Sequence, residues 1–234
     1  ARVLAEIRTD MAQTIPMHRL LQGDVGSGKT IVAALAALTA IEAGAQVAVM
    51  APTEILAEQH YLKFKQWLEP LGLSVAWLSG SQRKKAKAQN KAALSDGLIQ
   101  IAVGTHALFQ DDVQFQNLGL VIVDEQHRFG VAQRLALKNK GADVHQLMMS
   151  ATPIPRTLAM SFFADLDVSV IDELPPGRTP IKTRLVNSVR RSEVEGLVLG
   201  ACRKGQQAYW VCPLIEESET LQLQTATETQ AALQ

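Results

Sequence analysis

Short apolar runs alternate with helical patterns along residues 1–172. Val3, Leu4, Ile7 and Met11 have the spacing of one helix face, and no capping residue precedes them, so we expect the chain to be part of something longer. The buried strands are expected at residues 19–22, 46–51, 73–78, 99–103, 118–123, 146–149 and 168–171, and the helices at 31–43, 55–68, within 80–97 and, as a short one, near 104–109. This alternation predicts an α/β fold in which helices cover both faces of a parallel sheet.

The pattern changes after residue 172. Residues 173–180 contain three prolines and one glycine, which is typical of a connector between domains. Beyond the connector, the pattern predicts a strand at 181–186, a helix at 192–202, a strand at 207–214 and a polar end from 216 onward. A strand, a helix and a strand cannot form a stable domain alone. We therefore expect one complete domain at 1–172, a connector at 173–180, and the truncated beginning of a second domain at 181–234.

Composition and charge exclude several classes of protein. No apolar run approaches the length of about 20 residues that spans a bilayer, and no secretory signal is visible at the start. Cys202 and Cys212 lie near the end and support neither a disulfide framework nor a zinc site. The 23 basic and 23 acidic residues give a net charge of zero, so contact with nucleic acid would depend on local patches. These features are typical of a cytoplasmic protein with no membrane partner.

Residues 23–30 fit the pattern G-x-x-x-x-G-K-[ST] between a predicted strand and a predicted helix. Glycines permit the dihedral angles and close approaches by which backbone N–H groups surround a phosphate, and the start of the helix adds its positive dipole end. Lys29 is expected to reach the β- and γ-phosphates, and the Thr30 hydroxyl to bind Mg²⁺. A glycine-rich turn without this role is the alternative, but the strand before it and the helix after it argue against that interpretation. The expected phosphate-binding residues are Gly23, Asp24, Val25, Gly26, Ser27, Gly28, Lys29 and Thr30.

An acidic pair follows the predicted strand at 118–123. Ligands bind at the carboxyl ends of the strands in such sheets, so Asp124 is placed to hold Mg²⁺ opposite the Thr30 hydroxyl. Glu125, beside it, could orient or deprotonate an attacking water. An acidic turn with no such role is common after strands, but the phosphate loop upstream in the same sheet pattern favours the metal site.

Two hydroxyl residues follow the predicted strand at 146–149. Ser150 and Thr152 could hydrogen-bond the acidic turn and respond to its state. Residues of this type at a strand end are equally well explained by a simple helix N-cap. The sequence leaves both interpretations open.

A basic run lies within the predicted helix at 80–97. Residues 83–91 contain five basic side chains and no acid, and Lys84, Lys85 and Lys87 form its centre. Such a face could pair with nucleic-acid phosphates. A solvated helix face explains it as well, and no interleaved aromatic residue strengthens the nucleic-acid interpretation.

Five segments, in this order, resemble motifs I, Ia, Ib, II and III of superfamily two helicases. They read GDVGSGKT, APTEILAEQH, VGTHALF, VIVDEQHRFG and MSATPIPRTL. The later stretch IDELPPGRTPI makes the chain similar to the RecG family of bacterial ATP-dependent DNA helicases. The resemblance implies a first RecA-like, ATP-binding lobe at 1–172 and the start of a second RecA-like lobe at 181–234. It also implies ATP and Mg as cofactors, and branched DNA (replication forks and Holliday junctions) as the partner of a monomeric enzyme of DNA repair and recombination.

Other functions fit parts of the same pattern. The transcription-repair coupling factor shares the SATPIPRTL and HRFG stretches, but its second motif typically reads DEEH where this chain reads DEQH. A module that binds ATP without hydrolysing it is a further alternative. A P-loop kinase would need an acceptor pocket and a lid, neither of which we find in the sequence.

The resemblance implies roles for the residues at the matching positions. The catalytic residues would be Lys29, Asp124 and Glu125. The residues that couple hydrolysis to movement would be Gln126, His127, Ser150 and Thr152. The DNA backbone would be contacted by Thr53, Glu54, Thr105 and His106, with Lys84, Lys85 and Lys87 as further candidates. A helix N-cap at Thr53 and a buried turn at Thr105 would explain motifs Ia and Ib without any contact to DNA.

The family also implies parts that lie outside residues 1–234. A fork-binding wedge domain would precede residue 1, and motifs V and VI, with the arginine finger, would follow residue 234. An arginine finger accelerates phosphoryl transfer by about 10³- to 10⁵-fold where one acts, so we expect slow ATP hydrolysis by this chain. Arg128, Arg134 and Arg156 are the candidate substitutes within the first lobe. Because the net charge is zero and the wedge domain would lie outside these residues, we also expect weak DNA binding.

Overall fold

The computed structural model describes residues 1–80, 82–110, 112–125, 144–152, 166–173 and 181–211. The chain forms two compact units, Ala1–Arg178 and Thr179–Gln234. Within the described part, no helix is long and apolar enough to cross a bilayer.

The first unit is built on a seven-stranded sheet with the order β3-β4-β2-β5-β6-β1-β7. All of its strand pairs are parallel. Its strands are β1 (His18–Gly23), β2 (Gln46–Met50), β3 (Val75–Leu78), β4 (Ile101–Gly104), β5 (Leu118–Asp124), β6 (His145–Ser150) and β7 (Asp167–Ile171). Its described helices are α1 (Arg2–Met11), α2 (Lys29–Glu42), α3 (Glu54–Leu68) and α4 (Lys84–Ser95), with 3₁₀ turns at Glu69–Leu71 and His106–Phe109. Each predicted strand and helix of this unit is confirmed to within a few residues.

Two apolar clusters cover the two faces of the sheet. Successive side chains of a strand point to opposite faces, and β2 shows this directly. Val47 and Val49 pack in the cluster that contains residues of α1, α2 and α3. Ala48 and Met50 pack in the other cluster, with Leu94 of α4. The predicted α/β architecture, with helices on both faces of a parallel sheet, is therefore confirmed.

The helices next to the site begin for local reasons. α2 starts directly after Gly28 and presents five buried alanines to the sheet, so that its backbone lies close to the strands. α3 starts after Thr53, whose hydroxyl accepts a hydrogen bond from the backbone N–H of Leu56 at 3.4 Å. Thr53 is therefore the N-cap that the sequence predicts.

The second unit differs from the prediction. The predicted helix is confirmed as α5 (Arg191–Arg203), which follows a 3₁₀ turn at Ser188–Arg190. The strand predicted at 181–186 is wrong, because residues 181–187 have no regular structure and the side chains of Ile181 and Leu185 are exposed. The strand predicted at 207–214 is also wrong over residues 207–211, and its remainder lies outside the described residues.

The reason for this difference is that a strand needs a neighbour. An alternating or apolar pattern indicates which face of a strand would be buried, but the backbone N–H and C=O groups must pair with another strand. The described part of this unit contains no such partner. The connector predicted at 173–180 lies outside the described residues apart from Glu173, and so does Cys212.

Candidate nucleotide-binding site

The loop between β1 and α2 has the glycine geometry that the sequence predicts. Gly26 and Gly28 have positive φ angles of 82° and 94°, in the left-handed region that favours glycine. Gly23 is required for space, because a Cβ there would lie 2.5 Å from Ser27 Oγ and 3.1 Å from Ile171 Cβ. The loop therefore depends on glycine dihedrals at two positions and on the missing side chain at a third.

Lys29 folds back over this loop. Its ammonium group donates hydrogen bonds to the backbone oxygens of Gly23 at 2.7 Å and Asp24 at 2.9 Å. Burial lowers the pKa of Lys29, while the charges of Asp124, Glu125 and Asp24 oppose that shift. These interactions place the Lys29 ammonium group within electrostatic reach of the acidic pair at the end of β5.

The acidic pair lies where β5 ends, between β2 and β6 in the sheet. Asp124 Oδ2 lies 2.7 Å from Nε2 of His60, and Asp124 Oδ1 accepts a hydrogen bond from the backbone N–H of Glu125 at 3.1 Å. Glu125 has a φ of 49°, the only left-handed non-glycine residue in the described part of the chain. Such a backbone costs about 1–3 kcal/mol and occurs at sites where the surrounding structure holds it in place.

The next strand of the sheet holds the turn after Asp124 in place. The backbone N–H of Glu125 donates to the Met149 oxygen at 3.0 Å, and Glu125 Oε1 accepts from the backbone N–H of Ala151 at 3.4 Å. The Ser150 and Thr152 hydroxyls lie 2.9 Å apart and hydrogen-bond each other. A backbone amide of the Ser150 turn thus contacts Glu125, whereas the sequence suggested a hydroxyl for this contact.

Magnesium fits the type of oxygen donor that Thr30 and Asp124 carry. Within the described residues, no group of three or more His, Cys, Asp and Glu side chains could form an all-protein metal site. A magnesium ion that is held with a nucleotide does not need one, because it takes one or two protein oxygens together with phosphate oxygens and waters. Thr30 in the first turn of α2 and Asp124 at the end of β5 supply this hard-oxygen set.

The candidate DNA contacts of motifs Ia and Ib follow β2 and β4. Glu54 is exposed at the start of α3, next to the capping Thr53. Thr105 is buried after β4, whereas His106 beside it is exposed. The structure thus supports the cap interpretation of Thr53 and the buried-turn interpretation of Thr105, and Glu54 and His106 keep accessible side chains.

The basic run lies on α4. Lys84 and Lys85 are exposed, while Lys87 Nζ donates to Gln110 Oε1 at 3.5 Å. Lys91, further along the helix, forms an ion pair with Asp112. The start of α4 therefore presents accessible positive charge, and its later lysines contact the segment before β5.

Several predicted residues lie outside the described part of the chain. These are Gln126 and His127 of the coupling set, together with the three arginines considered as finger substitutes, Arg128, Arg134 and Arg156.

His60 is the residue of the site that the sequence analysis missed. It lies on the buried face of α3 with Ala57, Phe64 and Leu68. The signal was present, because positions 57, 60, 64 and 68 have the spacing of one helix face and three of the four are apolar. A histidine inside an apolar stripe indicates that its ring nitrogens meet a polar group in the interior.

Comparisons with known proteins agree with this geometry. The family model for "DEAD/DEAH box helicase" matches residues 5–161. The ATP-dependent DNA helicase RecG of Escherichia coli (strain K12) is 61% identical over 98% of this chain and 34% of that protein. RecG of Aquifex aeolicus is 55% identical over 97% of this chain and 29% of that protein. The chain thus spans about a third of the length of the curated relatives it matches.

Solved structures show the same likeness. RecG bound to a three-way DNA junction has a TM-score of 0.73 and 51% identity, covering 92% of this chain and 29% of that one. The DEAD-box helicase Mss116 bound to ssRNA and UDP-BeF has a TM-score of 0.58 and 16% identity, over 73% of this chain and 40% of that one. The second likeness concerns the fold alone, and it confirms the RecA-like sheet that the motifs implied.

Proposed function

Because the chain belongs to the DEAD/DEAH box helicase family, we propose that it is the ATP-binding motor part of a DNA helicase. The reaction is hydrolysis of ATP to ADP and phosphate. The observation that carries the proposal is the position of Lys29, whose ammonium group lies on the phosphate loop and interacts with the charges of Asp124 and Glu125. Phosphoryl transfer with Mg²⁺ uses a lysine on the phosphates and a carboxylate on the metal at one site.

Each residue of the site has a separate task in this proposal. Backbone N–H groups of the loop and the start of α2 bind the phosphates, and Lys29 neutralises charge on the β- and γ-phosphates. Thr30 and Asp124 hold Mg²⁺, which, when bound, stabilises negative charge on the phosphate oxygens. Glu125 orients the attacking water and accepts its proton. The direction of its side chain is restrained because its left-handed backbone donates to the Met149 oxygen and its Oε1 accepts from the backbone N–H of Ala151.

The strand after the acidic pair suggests how the site communicates with the rest of a motor. Glu125 contacts the backbone of Ala151, which lies between Ser150 and Thr152. If Glu125 accepts a proton during hydrolysis, its hydrogen bond with the Ala151 N–H would weaken. We infer that Ser150 and Thr152, with Gln126 and His127, couple hydrolysis to movement of the motor.

The DNA partner and the domain organisation are part of the same proposal. The relatives at about 60% identity are RecG helicases, and a similar solved structure is RecG bound to a three-way DNA junction. We infer that branched DNA is the partner, with replication forks and Holliday junctions in repair and recombination as its setting. The unit Ala1–Arg178 would be the first RecA-like lobe and Thr179–Gln234 the start of the second. The protein is proposed to act in the cytoplasm, as a monomer.

Calorimetric titration of the chain with Mg-ADP tests the nucleotide site. The variant Lys29→Ala loses a hydrogen bond between charged groups, which contributes about 1.5–3 kcal/mol, so binding should weaken roughly 10- to 100-fold. The matched control is Lys63→Ala, an exposed lysine of α3, which should bind like the wild type. Equal affinities in the wild type and Lys29→Ala would show that Lys29 does not contribute to nucleotide binding.

A second measurement tests the helicase assignment. The ATPase rate of the full-length protein should rise when forked DNA is added, because closure of two lobes on DNA completes the catalytic site. A rate that forked DNA leaves unchanged would favour a nucleotide-binding module over a motor.

A further inference from the structure

His60 contacts the proposed metal ligand directly. Its Nε2 lies 2.7 Å from Oδ2 of Asp124, and the two side chains are 9% and 14% exposed. The contact joins α3, which follows β2, to the end of β5. The motif resemblance assigned no role to position 60.

The direction of this hydrogen bond follows from the two groups. An ionised carboxylate only accepts hydrogen bonds, so the hydrogen must be carried by Nε2 of the imidazole. The other ring nitrogen, Nδ1, is buried and has no hydrogen-bond partner within the described residues. All of the polar interaction that His60 makes in this part of the chain is therefore directed at Asp124.

Two donors then hold the Asp124 carboxylate. His60 binds Oδ2, and the backbone N–H of Glu125 binds Oδ1. Each carboxylate oxygen has two lone pairs, so one on each oxygen stays available to a cation. With both oxygens engaged, the plane of the carboxylate is fixed and its free lone pairs have a defined direction.

A purely structural role explains the histidine less well. His60 lies on α3 between Ala57 and Phe64, both fully buried. An apolar side chain of similar size would fill this place without leaving Nδ1 buried and unpaired. What the imidazole adds over such a side chain is the hydrogen bond to Asp124.

We propose that His60 is a positioning residue that orients the Asp124 carboxylate for the Mg²⁺ of a bound nucleotide. The inference rests on the proposed function, since it assumes that Asp124 binds Mg²⁺ there. Residues that orient a metal ligand by hydrogen bonding typically contribute about 10- to 100-fold to metal affinity. The measurable consequence is the gain in nucleotide affinity that Mg²⁺ provides.

The test compares two amide substitutions in the chain. The amide nitrogen of Gln in His60→Gln can reach the place of Nε2, whereas the shorter Asn in His60→Asn places its amide near Nδ1. The affinity for ADP is measured for each variant with excess Mg²⁺ and with EDTA. We expect His60→Gln to keep most of the gain in ADP affinity that Mg²⁺ provides. In His60→Asn this gain should be smaller by about tenfold or more. The ADP affinity in EDTA should be unchanged in both variants.

Phe64→Leu is the matched control for packing of the same helix face. Phe64 is fully buried on α3, so this variant should lower the melting temperature and keep the Mg²⁺-dependent gain. The positioning role would be overturned if Mg²⁺ raised the ADP affinity of His60→Gln and His60→Asn equally. It would also be overturned if His60→Asn lost as much ADP affinity in EDTA as it lost with Mg²⁺. A wild-type chain whose ADP affinity does not respond to Mg²⁺ would instead overturn the proposed function, and the inference with it.

Discussion

Gly104 is the residue at which a single added carbon should disturb the fold most directly. It ends β4 and pairs with Leu78 of β3. A Cβ at Gly104 would overlap the backbone oxygen of Leu78, and it would lie 3.0 Å from the Leu78 carbonyl carbon and 3.3 Å from Leu108 Cγ. A backbone atom cannot rotate away as a side chain can. In Gly104→Ala, therefore, the end of β3 or of β4 must move.

The expected cost can be estimated from this geometry. Overpacking of a well-packed interior costs about 1–3 kcal/mol, and the upper part of this range applies because the obstacle is backbone. Displacement of the strand end also weakens a ladder hydrogen bond, worth about 1 kcal/mol. Alanine restricts the unfolded chain more than glycine does, which raises the free energy of unfolding by about 0.4–1 kcal/mol. We expect a net loss of about 3 kcal/mol in the free energy of unfolding.

Urea unfolding followed by tryptophan fluorescence measures this loss, and Trp77 lies on β3 itself. The control is Gly80→Ala, just after β3, where a Cβ would meet no atom closer than 3.6 Å. The control should stay within about 0.5 kcal/mol of the wild type, as surface substitutions usually do. If the two variants unfold at the same urea concentration, the close approach of β4 to Leu78 does not limit stability and the reasoning fails.

Two other predictions follow from side chains outside the nucleotide site. His145 Nδ1 accepts a hydrogen bond from the backbone N–H of Met17 at 2.9 Å, and burial lowers the pKa of His145. The stability that neutral His145 contributes is therefore present above about pH 6.5, the ordinary pKa of histidine, and it is lost as the pH falls toward the lowered pKa of the folded state. His145→Asn keeps an acceptor that does not titrate, so urea midpoints measured from pH 7.5 to 5 should fall less than in the wild type; equal falls would contradict this. Replacing Lys84, Lys85 and Lys87 by Gln should flatten the slope of log DNA affinity against log salt by up to about three; an unchanged slope would show a solvated helix face.

Most elements of the first unit could be predicted because each is encoded locally. Residues 46–51 form a continuous apolar run, which is typical of a strand covered on both faces. β2 is such a strand, with Val47 and Val49 on one face and Ala48 and Met50 on the other. The phosphate loop was predictable for the same reason, since two of its glycines are determined by their own backbone angles and Gly23 by the nearby Ser27 as well as by Ile171.

Features that depend on distant residues could not be predicted in this way. The left-handed Glu125 is held by distant groups, since its backbone N–H donates to the Met149 oxygen, 24 residues along the chain, and its Oε1 accepts from the N–H of Ala151, 26 residues along. The contact between His60 and Asp124 joins residues 64 apart. The strand predicted at 181–186, and the one predicted at 207–214 as far as residue 211, failed for the converse reason, because the local pattern was suitable but the described part of that unit offers no strand to pair with.

The order of the strands explains why these distant contacts matter. The phosphate loop, the acidic pair and the Ser150 turn follow β1, β5 and β6, which are neighbours in the sheet. The proposed DNA segments follow β2 and β4, which are neighbours on the other side of β5. At the carboxyl ends of the strands, the sheet thus separates the proposed nucleotide residues from the DNA residues proposed for motifs Ia and Ib.

α3 spans this division. It begins at Thr53 and Glu54, among the proposed DNA contacts, and less than two turns later its His60 reaches Asp124, the proposed Mg²⁺ ligand. The hydrogen bond between His60 and Asp124 therefore joins the helix that carries the proposed DNA residues of motif Ia to the proposed Mg²⁺ ligand.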